Sequence, residues 1–131
     1  MEEWGFMKQT LVPVLFLGSV LVDCGGFSRY QSAACKQQGA ALTARVKTLE
    51  REAHEELSIG TRKDAVIRFF AENSIPLTFV RDEATGTIYT TGCAPTGCGS
   101  DAALLGLRVK VDKEGTVMSE PVVVSLYTDC L

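Results

Sequence analysis

The sequence predicts an α+β domain in which two N-terminal helices pack on one face of a three- to four-stranded antiparallel meander. Three observations carry that expectation. Apolar residues recur every three or four positions between Ala40 and Asn73, the period changes to two after Pro76, and the later apolar runs are separated by turns of hairpin length. Strands joined by short turns pair antiparallel, and helices gathered at one end of a sequence cover one face of such a sheet.

The chain opens on a different kind of segment. Leu11–Val22, LVPVLFLGSVLV, is uncharged and mostly apolar, follows Lys8 and is closed by Asp23 and Cys24. A charged head and an apolar middle are the layout of a secretory signal, and the run falls short of the roughly 20 residues a helix needs to cross a bilayer. Glu2, Glu3 and Trp4 precede Met7, where a signal wants positive charge, so a true start at Met7 is expected. The division that follows is residues 1–23 as signal, 24–39 as flexible tether and 40–131 as one domain. Gly25–Gln38 is small, polar and interrupted by glycines, a linker's composition.

In the domain, Leu42, Val46, Leu49, Ala53 and Leu57 fall on one helical face, with Arg45, Lys47, Glu50, Arg51, Glu52, Glu55 and Glu56 on the solvated side. The sole histidine, His54, lies beside that stripe and reads as a surface residue. Gly60 ends the pattern, and Thr61-Arg62-Lys63-Asp64 has the layout of a capping box. Ala65, Val66, Phe69 and Phe70 form a second apolar face, and the helix stops before Ile75-Pro76. Adjacent phenylalanines could line a ligand pocket, but a helix resting on a sheet needs such anchors anyway.

Leu77–Arg81 is expected as the first strand, Asp82–Gly86 as a turn and Thr87–Thr91 as the returning strand. Gly92–Asp101, GCAPTGCGSD, is a loop. Leu105, Leu107, Val109 and Val111 alternate with Gly106, Arg108 and Lys110 in a third strand. Asp112–Gly115 turns the chain, Thr116–Met118 begins the return, and Val122–Tyr127 completes it. Glu120-Pro121 implies a bulge or a sheet edge, because proline cannot donate to a ladder.

The formal charge is -3, and loss of Glu2, Glu3, Asp23 and Lys8 with the signal leaves -1. A nearly neutral chain lacks the basic footprint of a nucleic-acid binder. Five cysteines suit an oxidising compartment. With Cys24 reserved for lipid, Cys35, Cys93, Cys98 and Cys130 form two bridges. Sequence does not choose among the three pairings; Cys93–Cys98 with Cys35–Cys130 is preferred here, as a tight loop closure plus a tie between the chain ends.

Catalytic constellations do not emerge. A cysteine or serine nucleophile would have only His54 as its base. Glu55–Glu56 and Asp82–Glu83 read as solvated neighbours rather than a glycosidase pair, and Cys93–Cys98 lacks the second ligand pair of structural zinc. Neither metal, cofactor nor small-molecule substrate is expected. Pro95, Thr96 and Gly97, at the tip of the cysteine-bounded loop, are the candidate interaction residues, since a braced loop loses less entropy on binding.

Leu21-Val22-Asp23-Cys24 resembles the bacterial lipoprotein box, in which the cysteine takes a thioether-linked lipid; Asp23 stands where that pattern has Gly, Ala or Ser. A soluble exported protein and a retained N-terminal helix are the alternatives. Leu57–Val66, LSIGTRKDAV, followed by a meander that contains Leu107–Gly115, resembles small bacterial envelope lipoproteins of the SmpA/OmlA type over residues 57–127. Ile75-Pro76 replaces that family's Gly-x-Pro, and the cysteine-bounded loop is extra. The resemblance implies a two-helix, antiparallel-sheet domain anchored by lipid on Cys24 in the outer membrane and facing the periplasm. The expected function is a non-catalytic binding or accessory protein with an envelope protein as partner. A periplasmic inhibitor or immunity protein that blocks a toxin or hydrolase is the other class.

Overall fold

A computed structural model describes residues 31–130. The stretch expected as signal, Cys24 and the first part of the stretch expected as tether lie outside the described residues. Helix α1 (Ala33–Glu56) and helix α2 (Lys63–Glu72) precede strands β1 (Thr78–Val80), β2 (Glu83–Thr91), β3 (Ala102–Lys110) and β4 (Val122–Tyr127). The strands form one open antiparallel sheet in the order β1-β2-β3-β4, so each strand pairs with its sequence neighbour. The chain is therefore α+β.

Helix α1 starts inside the stretch expected as tether. Ser32 caps it, its hydroxyl accepting from the Cys35 N–H at 3.1 Å, which satisfies one of the orphan amides of a first turn. Gly39 does not break the helix, and a Cβ there would stand 2.9 Å from Cys93 Cβ. The glycine that reads as linker composition is what lets helix and loop approach.

The start of α2 also differs from expectation. Arg62 occupies the cap and makes no side-chain cap bond. Thr61 serves the connection instead: its hydroxyl reaches the Glu56 carbonyl at 3.4 Å, and its own carbonyl accepts from the Val117 N–H at 2.9 Å. The Gly60 N–H donates to the Val117 carbonyl, so the turn between the helices is held by the segment after β3.

Sheet boundaries shift for a steric reason. The first hairpin turns at Arg81-Asp82, with Arg81 at φ 56° and Val80 opposite Glu83, so Asp82 lies in the turn as expected while Glu83–Gly86 already belong to β2. Gly86 lies inside β2, where a Cβ would fall 2.1 Å from the Pro76 carbonyl oxygen. It is required by the chain crossing over it, not by a bend.

The core joins both helices to one sheet face. Leu49, Ala53 and Leu57 at and just beyond the C-terminal half of α1 and Val66, Phe69 and Phe70 of α2 share a cluster with Ala84, Leu105, Leu107 and Val109. Alternation on β3 puts Leu105, Leu107 and Val109 inward and Arg108 and Lys110 outward. Val111 and Val117 bridge beyond β3 and extend the cluster. Full burial of a side chain such as Phe69 or Phe70 contributes roughly 1.5–3 kcal/mol.

Candidate functional site

The cysteine-bounded loop is clasped differently from the preferred pairing. Cys35 bonds to Cys93, with Cα atoms 4.9 Å apart, and Cys98 bonds to Cys130, 4.2 Å apart. The local closure Cys93–Cys98 does not form, and neither does the tie Cys35–Cys130. Register supplies the reason. Just past β2, Cys93 meets the first turns of α1 at Gly39, whereas Cys98 lies beside the tail of β4, where the Gly99 N–H donates to the Asp129 carbonyl at 2.8 Å. Each thiol has a different nearest element.

Asp101 and Tyr127 organise the clasp. One Asp101 carboxylate oxygen accepts from the Ala94 N–H at 3.0 Å and lies 3.8 Å from Cys35 Sγ, while its carbonyl accepts from the Gly92 N–H at 2.9 Å. The Tyr127 hydroxyl accepts from the Cys93 N–H at 3.0 Å. Gln31 donates its side-chain amide to the Ala94 carbonyl at 3.1 Å, and the Ser100 hydroxyl bonds to the Asp129 carboxylate. These contacts hold the base of the loop and leave Pro95, Thr96 and Gly97 exposed at its tip, with Gly97 at φ 104°.

Other residues weighed in the sequence are scattered. His54 is exposed, with Nδ1 2.7 Å from its own helix's Glu50 carbonyl and Nε2 3.8 Å from Glu120. Glu55 pairs with Arg51 at 3.3 Å across one exposed helical turn, where such pairs contribute little. Among the described residues no group of three or more His, Cys, Asp or Glu side chains gathers to hold a metal. No helix among them is long and apolar enough to cross a membrane.

Two surfaces escape a linear reading. On the sheet face away from the core, Tyr89, Leu104 and Leu126 stand abreast on β2, β3 and β4, and Thr87, Gly106 and Val124 form the next row. Tyr89 is 80% exposed and Leu126 52%. Along β4, a groove of about 330 Å³ runs between the strand and α1, lined by Leu42, Val46, Lys47, Glu50, Ser125 and Tyr127. The run Val122–Tyr127 is continuously apolar apart from Ser125, so alternation does not reveal which side is covered.

Comparison with protein-family models, curated proteins and solved structures finds no match to this chain.

Proposed function

We propose that this chain is an exported, lipid-anchored binding or accessory protein of the bacterial envelope, without catalytic activity. The observation that carries the reading is the pair of disulfides, which suits an oxidising periplasmic or extracellular compartment. The apolar leader Leu11–Val22 and the box Leu21–Cys24 supply route and anchor: lipid on Cys24 holds the domain at the outer membrane, facing the periplasm. The described chain begins beside the clasped loop, where Gln31 bonds to Ala94, so an anchor on Cys24 tethers the domain at the loop's own end.

The loop tip, Pro95, Thr96 and Gly97, is the contact proposed for an envelope protein. Its base is tied covalently to α1 and to the chain's C-terminal tail, so little order remains to be imposed on binding. The same braced, protruding tip also supports the second class, an inhibitor or immunity protein that inserts the loop into a hydrolase or toxin. The outer-membrane assembly role of the SmpA/OmlA type is not carried over.

Intact-mass analysis of protein from its native envelope tests export and anchor together. The expected species begins at Cys24, carries acyl chains and has four oxidised thiols; a full-length, unacylated, reduced chain refutes the reading. Capture from envelope extracts with wild-type protein and with Thr96→Arg then separates the classes. Assembly or structural proteins lost with the variant favour the accessory role, and a captured hydrolase or toxin favours the inhibitor.

A further inference from the structure

We infer that two copies of this chain pair through β4, edge to edge, extending the sheet across a two-fold axis at Ser125. The inference goes beyond the proposed function and depends neither on the lipid nor on the loop tip.

The free edge of β4 follows from its ladder with β3. The Thr128 N–H donates to the Ala102 carbonyl at 3.0 Å, one step beyond the register that sets Ala103 opposite Tyr127. Bonded and non-bonded pairs alternate in an antiparallel ladder. Leu126, Val124 and Val122 therefore bond to β3, and the N–H and C=O groups of Val123, Ser125 and Tyr127 point the other way. These groups take no backbone partner among the described residues.

Pro121 stands just ahead of β4 and Asp129 just beyond it, but between them nothing in the strand itself protects that edge. Its sequence, VVVSLY, has no charge and no proline, and its register with β3 has no bulge. The opposite edge is shorter: β1 is three residues long and turns at once into Arg81 and Asp82. Natural sheets shorten, charge, kink or cover their edges because a bare one recruits another strand. An edge left this open is one that is covered.

A second copy fits it because the edge is complementary to itself. With Ser125 opposite Ser125 of the second copy, Val123 falls opposite Tyr127 and Val124 opposite Leu126, and every outward backbone group finds a partner. Such an interface is closed and isologous. On the outer face, half-exposed Leu126 gains Val124 of the second copy as a cross-strand neighbour. On the helix side, Val123 of the second copy, held against that copy's own core, falls opposite Tyr127, one of the residues that line the groove. Ser125 puts only a small side chain at the axis.

Full-length Ser125→Cys, produced in an exporting bacterium, is compared on a non-reducing gel with Thr87→Cys, whose substitution lies mid-sheet on the outer face. A reducible band at twice the chain mass for Ser125→Cys alone is expected. Sedimentation of the purified wild-type protein is expected to show a dimer that Ser125→Lys converts to monomer with an unchanged circular-dichroism spectrum. A wild-type monomer at every concentration, a dimer that survives Ser125→Lys, or equal crosslinking at both positions overturns the inference. If Ser125→Lys does not fold, the two cysteine variants and the wild-type mass still decide.

Discussion

The Tyr127 hydroxyl accepts a hydrogen bond from the Cys93 N–H at 3.0 Å, tying the last residue of β4 to the first cysteine of the clasped loop. The ring also closes over Gly92, where a Cβ would stand 2.7 Å from both the Tyr127 hydroxyl and Leu42 Cδ2. Tyr127→Phe keeps the packing and removes the acceptor, so urea unfolding should show a loss of about 0.5–1.5 kcal/mol. Gly92→Ala should cost more than Tyr127→Phe, because leucine and tyrosine must both move.

Peptide mapping of the oxidised protein should recover the linkages Cys35–Cys93 and Cys98–Cys130 and no Cys93–Cys98 fragment. The two bridges span sequence separations of 58 and 32 residues, for which loop-closure entropy predicts about 4 kcal/mol each. Replacing Cys35 and Cys93 together with serine should lower stability by about 2–4 kcal/mol, read as a shift in the urea midpoint.

Phe70 is fully buried where α2 meets the sheet. Phe70→Ala leaves a cavity that flanking β-strands fill poorly, and a destabilisation of about 3–5 kcal/mol is expected. His54→Ala, on the exposed side of α1, should stay within about 0.5 kcal/mol of wild type in the same measurement.

Gly86 discriminates between a turn glycine and a close-approach glycine. A turn glycine with ordinary φ would accept alanine. Here the Pro76 carbonyl occupies the space of the methyl group, so Gly86→Ala should destabilise by about 1–3 kcal/mol, visible as a lowered thermal midpoint.

Much of the fold was legible because its signals are local. The period of Leu49, Ala53 and Leu57 marks the buried face of α1, and the alternation of Leu105, Leu107 and Val109 marks the inward face of β3. What was not legible depends on residues far apart in sequence. Gly86 looks like turn chemistry until Pro76 is placed above it, and Gly39 looks like linker until Cys93 is placed beside it. Thr61 has a capping residue's chemistry, yet Val117 claims its carbonyl. Cysteine pairing failed for the same reason: proximity along the loop suggested Cys93 and Cys98, whereas the strand ends deliver them to different neighbours. Glu120-Pro121 pointed to a bulge or a sheet edge at the last strand, but only the strand order decides for the edge and shows which backbone groups of β4 face outward.

The bond between Cys35 and Cys93 lies at the start of α1, four residues into the described chain. A load pulling on the chain ahead of Gln31 therefore reaches a covalent link within the helix's first turn and passes straight into the hairpin. The helix cannot be peeled away from its end while that link is intact. Against a load applied at that end, mechanical endurance is thereby set by the redox state of one sulfur pair rather than by the strength of helix packing.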